Sequence, residues 1–349
     1  MPRRRNLVRA AQLREASAVF DDSGVFVAFP EIVAMDLLDI SVEPAVDPRV
    51  SRLCHVHDDA VERVARGEPV GHVLLGRSAR ILADLDVDDL GHDILERIPW
   101  RPGVAWLGGP RPEDAFVLCA PHGPELRAVV AELLTWLEAD SDLPVVVRQA
   151  MAHYQFAVAG PVAHGEHLSS LLIVLGFIQA GALRDEILAP ALWFSPQNEQ
   201  YRRQFRQVLD TGDFDAWVTF FAGGIIELCK SQIELVHMLE EIRDKQLNTF
   251  TRSDGLARLV NALSGSPVFS TELAAKLSGV SLRQAHAIVQ RLDKAGVVRK
   301  WDRNRQIRRR GQQVIREVPE VVKAIGMFDH LPYRRDKSVL DPPQSDPLR

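Results

Sequence analysis

The chain has 349 residues, of which 46% are hydrophobic and 26% charged, and its formal net charge is −5. This composition is typical of a globular protein with room for two or three domains. The three cysteines, Cys54, Cys119 and Cys229, never fall into a metal-ligand spacing, which argues against structural zinc and suits a reducing compartment. No apolar run approaches the roughly 18 residues of a spanning helix, and no secretory signal is evident. We therefore expect a cytoplasmic protein without membrane contact.

Composition along the chain predicts five segments. Residues 1–79 indicate a helical and irregular N-terminal region, and residues 80–247 a mostly helical core. A polar linker is predicted at 248–255, a second helical module at 256–325, and a disordered, Pro-rich tail at 326–349.

The core segment gives local signals for a hairpin and several helices. Residues 105–121 hold two short apolar runs around a Gly/Pro/Asp turn, which predicts a small β-hairpin. The helix at 166–180 is apolar nearly all round and should be buried at the centre, while Ser195 and Pro196 should open the helix that follows. The helix after the hairpin predicts one apolar face, made of Leu126, Val129, Val130, Leu133, Leu134 and Leu137.

The second module predicts a winged helix-turn-helix. Ser270 or Thr271 caps a first helix, and Ser281 with Gln284 forms a capping box at the start of a second helix. The runs "VVRKW" and "RQIRR" around "DRN" then predict a two-stranded wing. The second helix should bury Ala285, Ile288, Val289 and Leu292.

This module also carries the only strongly basic segment. Between Arg283 and Arg310 there are ten Lys and Arg residues and two Asp residues, although the whole chain is acidic. Such a charge pattern favours nucleic acid, but winged helices also serve as protein-docking or dimerisation modules, so both interpretations stay open. The residues expected to reach bases or phosphates are Arg283, Gln284, His286 and Gln290 on the helix and Arg303 and Arg305 in the wing.

The order of motifs resembles a known family. Along the chain come "WRPGVAWLGG", "AHYQFxxxxPxxxG", "SPxxxxxRxxFxxxL" and "DFDAWVTFF". This order resembles the Fic (Fido-fold) AMP transferases with a C-terminal winged helix, over roughly residues 80–310. The resemblance implies a helical Fido bundle with a β-hairpin flap, ATP and magnesium as ligands of active members, and Arg101 with Trp106 at the lead into the flap.

The active loop of that family is altered here. Its pattern HPFxxGNGRxxR aligns with residues 160–171, and of its conserved positions only Pro161 and Gly165 match. The resemblance implies that Gly160 stands for the catalytic His, His164 for the magnesium-binding acid, and Leu168 and Leu171 for the arginines that hold the triphosphate. The other aligned positions are Val162, Glu166 and His167.

These changes predict that AMP transfer is lost. Losing a general base costs about 10²–10⁴ in rate, and an acidic residue at a helix start opposes an incoming phosphate. We therefore predict no cofactor, neither ATP nor magnesium, and no metal site. Whether the chain is an enzyme stays open: one hypothesis is a pseudoenzyme regulator, and another is a changed reaction that uses His164, Glu166 and His167. A third hypothesis is residual AMP transfer in which His164 or His167 replaces the missing base. The expected partners are DNA, a protein or small molecule in the Fido pocket, or a second copy of the chain.

Overall fold

The computed structural model describes residues 2–22, 49–87, 94–108, 112–119, 122–162, 166–195, 198–250, 253–301 and 314–326. Within these ranges the chain is mostly α-helical. The helices are α1 (Pro2–Asp22), α2 (Arg49–Ala65), α3 (His72–Leu82), α4 (Pro124–Glu138), α5 (Val145–Ala159), α6 (Glu166–Gln179), α7 (Glu199–Thr211), α8 (Asp215–Asn248), α9 (Asp254–Ala262), α10 (Thr271–Ser278), α11 (Leu282–Lys294) and α12 (Pro319–Gly326). The strands are β1 (Ala105–Gly108), β2 (Ala115–Cys119), β3 (Val268–Phe269), β4 (Arg299–Lys300) and β5 (Arg316–Glu317).

Helix α6 lies at the centre of the bundle, as its all-apolar sequence predicts. Every residue from Leu168 to Ile178 is buried, and α2, α3 and α5 pack against it. Gly176 allows α5 to approach closely, because a Cβ there would meet the Gln149 amide at 2.0 Å. The helix is followed by Gly181, whose φ of 71° suits a residue without a side chain.

An aromatic layer joins α5, α7 and α8. Tyr154 of α5 packs against Phe205 with ring centroids 4.4 Å apart, and Trp217 meets Phe205 edge to face at 5.6 Å. The Trp217 indole N–H donates to the Ala150 carbonyl at 2.8 Å, so its polar atom is satisfied in the core. Tyr154 and Phe156 are both buried in this layer of the core.

The predicted hairpin is confirmed and forms a flap beside α5 and α7. Strands β1 and β2 pair antiparallel, with Trp106 opposite Leu118 and an irregularity between Leu107 and Gly108. The two cross-strand partners Trp106 and Leu118 are both exposed, whereas Phe116 and Val117 are buried.

Two expectations for the core are wrong in detail. Val129 does not belong to the buried face of α4, because its side chain is 42% exposed. The N-cap of α7 is Asn198 rather than Ser195, since its side chain accepts hydrogen bonds from the N–H groups of Gln200 and Tyr201. Asn is as good an N-cap as Ser, so the choice depends on tertiary context.

The N-terminal region contains a helix, α1, whose sequence shows no amphipathic pattern. Helix α1 buries charged as well as apolar side chains: Arg14 and Glu15 are each 1% exposed. Its neighbours are α2, the short 3-10 helix at 190–192, α9 and α12, so it is covered from several sides and shows no single apolar stripe. Residues 23–48 of the predicted N-terminal region lie outside the described residues.

The C-terminal module contains three consecutive helices, α9 to α11, and a three-stranded antiparallel sheet in the order β3-β5-β4. The capping box at α11 is confirmed: Ser281 Oγ accepts from the Gln284 N–H, and the Gln284 side chain accepts from the Ser281 N–H at 3.1 Å. Ser270 is the N-cap of α10. Strand β4 pairs with Arg316–Glu317, while the predicted strand "RQIRR" and the tail after 326 lie outside the described residues.

Helix α8 runs from the aromatic layer to the C-terminal module. Its 34 residues correspond to about 50 Å at 1.5 Å per residue. Near its end, Lys245 pairs with Glu320 of α12 at 2.6 Å, and the side chain of Asn6 in α1 donates to the Asn261 carbonyl of α9 at 2.8 Å. Within the predicted linker, α8 ends at Asn248 and α9 begins at Asp254. No helix in the described ranges is long and apolar enough to cross a membrane.

Candidate functional site

The candidate site begins where α5 ends. Gly160 caps α5 in the left-handed region, with φ 48° and ψ 55°, and its N–H bonds to the Phe156 carbonyl. A Cβ at this position would lie 3.2 Å from the Cys119 sulfur of the flap. Gly160 therefore suits both the backbone turn and the close approach of strand β2.

Pro161 and Val162 attach the loop to the chain before the flap. The Pro161 carbonyl accepts from the Arg101 N–H at 3.1 Å, and Val162 forms an isolated antiparallel bridge with Trp100. Val162 is 7% exposed. The start of the loop is thus held by backbone hydrogen bonds before the chain reaches α6.

The side chain of Arg101 is buried beneath this turn. Its guanidinium donates to the carbonyls of Ala159 at 3.2 Å, Gly160 at 2.6 Å and Cys119 at 2.8 Å, and also to that of Gly103. Burial lowers the pKa of Arg101 and raises the pKa of the Cys119 thiol to about 11. One side chain therefore joins α5, the loop and strand β2, a role that the sequence did not reveal.

The aligned positions at the start of α6 separate into two groups. Leu168 and Leu171, which align with the triphosphate-binding arginines, are 1% and 0% exposed and belong to the central core. Glu166 is the first residue of α6, and His167 is the second. The side chains of Glu166 and His167, and all of Ala163, His164 and Gly165, lie outside what the structure describes, so the suggested catalytic role of His164, Glu166 and His167 stays a prediction.

His153 is a structural histidine of the core. Its ring is 1% exposed and stacks on Trp217 at 6.1 Å with 5° between the planes. Nδ1 lies 3.2 Å from the Ser169 carbonyl and Nε2 lies 3.3 Å from the Tyr201 hydroxyl. Burial lowers the pKa of His153 to about 4, so the ring is neutral near pH 7 and holds α5, α6 and α7 together.

A second buried histidine lies outside the candidate loop. His57 of α2 contacts Glu186, which is fully buried and also accepts from Gln12 at 3.0 Å. The neighbouring carboxylates raise the pKa of His57 against the lowering effect of burial. Among the described residues, no group of three or more His, Cys, Asp and Glu side chains is arranged to hold a metal ion.

The predicted nucleic-acid residues lie on the outer surface of α11. Arg283, His286 and Gln290 are exposed, and the amide of Gln290 lies 3.0 Å from His286 Nε2. Gln284 is also exposed, but its side-chain oxygen is used by the capping box. Arg303 and Arg305 lie outside the described residues. The four predicted core positions, Ala285, Ile288, Val289 and Leu292, are all buried.

The fold defined by these elements is a helical bundle of the Fido type with a small β-hairpin. The chain is similar to the crystal structure of a Fic family protein from Desulfovibrio desulfuricans, with a TM-score of 0.50 and 17% sequence identity. The alignment covers 89% of this chain and 87% of the other. The chain matches no protein-family model and no curated protein.

Proposed function

We propose that the chain is a Fic-like protein that has lost AMP transfer and acts as a ligand- or partner-binding regulator, with a C-terminal winged helix that contacts DNA. The observation that carries the first half is the burial of Leu168 and Leu171. Cations at these positions would have to leave the core to reach a phosphate, and the two leucines instead complete the packing of α6.

The start of α6 also disfavours a triphosphate on electrostatic grounds. The N-terminal end of a helix attracts anions through its free N–H groups. Here the first helical residue is Glu166, so the chain supplies a negative charge of its own near that end. The leucines in place of the arginines and the glutamate at the helix start both disfavour binding of a triphosphate.

The second half of the proposal rests on the shape and charge of α11. Its four buried residues, Ala285, Ile288, Val289 and Leu292, face inward, and Arg283, His286 and Gln290 project from the opposite side. A helix with this division of faces suits the major groove of DNA, and the basic segment that follows it suits phosphates.

The test of DNA binding uses the full chain and a mixed-sequence duplex. We expect an affinity that falls steeply with salt, and Arg283→Ala should weaken binding by about tenfold, since a single base or phosphate contact contributes that order of free energy. Arg127→Ala, on the exposed surface of α4, is the matched control and should bind like the wild type. Absence of binding at 50 mM salt, or equal binding by both variants, would contradict the proposal.

The test of AMP transfer uses ATP labelled at the α-phosphate, with magnesium and the chain alone or with a cell extract. We expect no incorporation of label. Label incorporated by the wild type but not by His167→Ala would show residual AMP transfer with His167 in place of the missing base, and label incorporated by both would show AMP transfer that does not need His167. Either result would contradict the proposal.

A further inference from the structure

The outer face of α11 carries four exposed side chains in one row along the helix. In chain order these are Arg283, Ala287, Gln290 and Lys294. They follow one another at intervals of four, three and four residues, and residues at such intervals lie on the same side of an α-helix, one turn apart. The buried residues of α11 lie on the opposite side. The row therefore faces away from the core of the C-terminal module.

The charged side chains at the two edges of this row have partners within the chain. The guanidinium of Arg291 lies over the Phe250 ring, 5.8 Å from its centre. The carboxylate of Asp293 lies 3.7 Å from Nε of Arg316 in β5. These contacts attach the edges of α11 to the end of α8 and to the small sheet, so the row between them is the face that remains for a partner.

Gln290 is oriented by a neighbour on the same helix. Its side-chain nitrogen lies 3.0 Å from His286 Nε2, one turn earlier. A neutral imidazole accepts at this nitrogen, so one N–H of the amide is used, and the other N–H and the amide oxygen stay available side by side. That pair matches the N7 acceptor and the N6 donor of adenine in the major groove. Orienting the amide in advance also lowers the entropy lost on binding.

The spacing along the row fits the spacing of base pairs. Recognition helices of zinc fingers contact successive base pairs with residues three or four positions apart, and Arg283, Ala287 and Gln290 have this spacing. Arg283 is the second residue of α11, and its fork of N–H donors matches the two acceptors of guanine. The small Ala287 lets the helix approach the base edges. Lys294, the last residue of α11, suits a phosphate.

We propose that α11 reads a guanine through Arg283 and an adenine through Gln290, with about one base pair between them, and that His286 positions the Gln290 amide. This inference rests on the proposed binding of DNA by the C-terminal module, and it names the bases that the module recognises. An acidic protein surface would attract Arg283 and Lys294 equally well, but it would not require the paired donor and acceptor of Gln290.

The test selects bound DNA from a library of randomised duplexes with the full chain, followed by competition between single duplexes. The wild type should enrich guanine and adenine in this arrangement, and replacing the adenine should weaken binding about tenfold. In Gln290→Ala the preference for adenine should disappear while the preference for guanine stays. Gln200→Ala, at an exposed position of α7, is the matched control and should keep both preferences.

His286→Ala tests the positioning role, because it removes the partner of the amide and leaves Gln290 itself. The preference for adenine should fall about threefold, and the affinity for a duplex without the adenine should not change. An unchanged preference would contradict the positioning role. All these substitutions are at exposed positions, so the melting temperatures should match that of the wild type.

Two failures can be told apart in this experiment. DNA binding without a base preference, or an adenine preference that persists in Gln290→Ala, would overturn this inference and leave the proposed DNA binding intact. Absence of binding to every duplex, as expected of a module that docks to a protein, would contradict the proposed function and this inference with it.

Discussion

Helix α6 is buried on every side from Leu168 to Ile178, whereas helix α11 buries four apolar residues and exposes most of the others. Helix α6 begins in the segment that aligns with the Fic loop, and helix α11 is the second helix of the predicted helix-turn-helix. Leu168 and Leu171 of α6 align with arginines of the Fic pattern, and both are buried in the core. Helix α11 has a polar outer face. The comparison teaches that side chains at the aligned positions of α6 could meet a ligand only if the core repacked, whereas those on the outer face of α11 are already accessible.

The largest effect on the contrast between α6 and α11 is expected when one arginine is placed on α6. Leu171→Arg should destabilise the protein by at least about 4 kcal/mol, because it places an unpaired charge in a fully buried position. Leu282→Arg makes the same change on α11, where Leu282 is 53% exposed, and should alter stability by about 0.5 kcal/mol or less. Urea denaturation measures both. A Leu171→Arg variant as stable as the wild type would show that α6 can redirect an arginine to the surface.

His153 should make the core around α6 sensitive to acid. The unfolded-state pKa of a histidine is near 6.5 and the folded-state pKa of His153 is about 4, so between these values the unfolded chain binds more protons. Stability should therefore fall by about 3 kcal/mol as the pH drops from 6.5 to 4, at 1.36 kcal/mol per pKa unit. His153→Phe should remove this component of the pH dependence.

The control for this experiment is the other buried histidine. Because the pKa of His57 is raised, its contribution is fully present below pH 6.5 and is lost as the pH rises through the folded-state value. The stability difference between the wild type and His57→Gln should thus shrink at alkaline pH, the opposite direction to His153. Parallel pH profiles for the two variants would contradict the assigned environments.

Substitution of Arg101 tests whether the loop and the flap are held together by its side chain. Arg101→Met keeps the aliphatic part of the side chain but leaves several buried carbonyls without a donor, which should cost about 3 kcal/mol. Arg127→Met, on the exposed surface of α4, should be close to neutral. Hydrogen exchange of the β2 amides should accelerate only in Arg101→Met, and unchanged exchange there would show that the flap is held by other contacts.

The smallest effect should come from Gln284 at the start of α11. Loss of the capping box in Gln284→Ala should cost about 0.5–1 kcal/mol. Because this side chain is turned back toward Ser281, DNA affinity should fall less than in Arg283→Ala. A greater loss of affinity in Gln284→Ala would mean that Gln284 leaves the cap to contact a base.

Local patterns in the sequence were enough to predict several elements. The apolar run of α6, the Ser281–Gln284 box and the hairpin at 105–121 depend on nearby residues, so the helix, the cap and the strands were confirmed. The prediction that Val129 is buried was wrong, because the buried face of α4 includes fewer of its residues than the row of apolar residues in the sequence. The contacts of Arg101 could not be predicted, since they depend on carbonyl groups far away in the chain.

Helix α1 packs against both α9 and α12, so the first described helix and the last one are neighbours. During synthesis, α1 emerges from the ribosome before α9 and α12, so part of its surface stays uncovered until residues near 326 have been made. Fragments that end near residue 250 should expose this surface and aggregate. If the chain is divided at the short connection between α8 and α9, we expect the two fragments to be soluble only when they are expressed together.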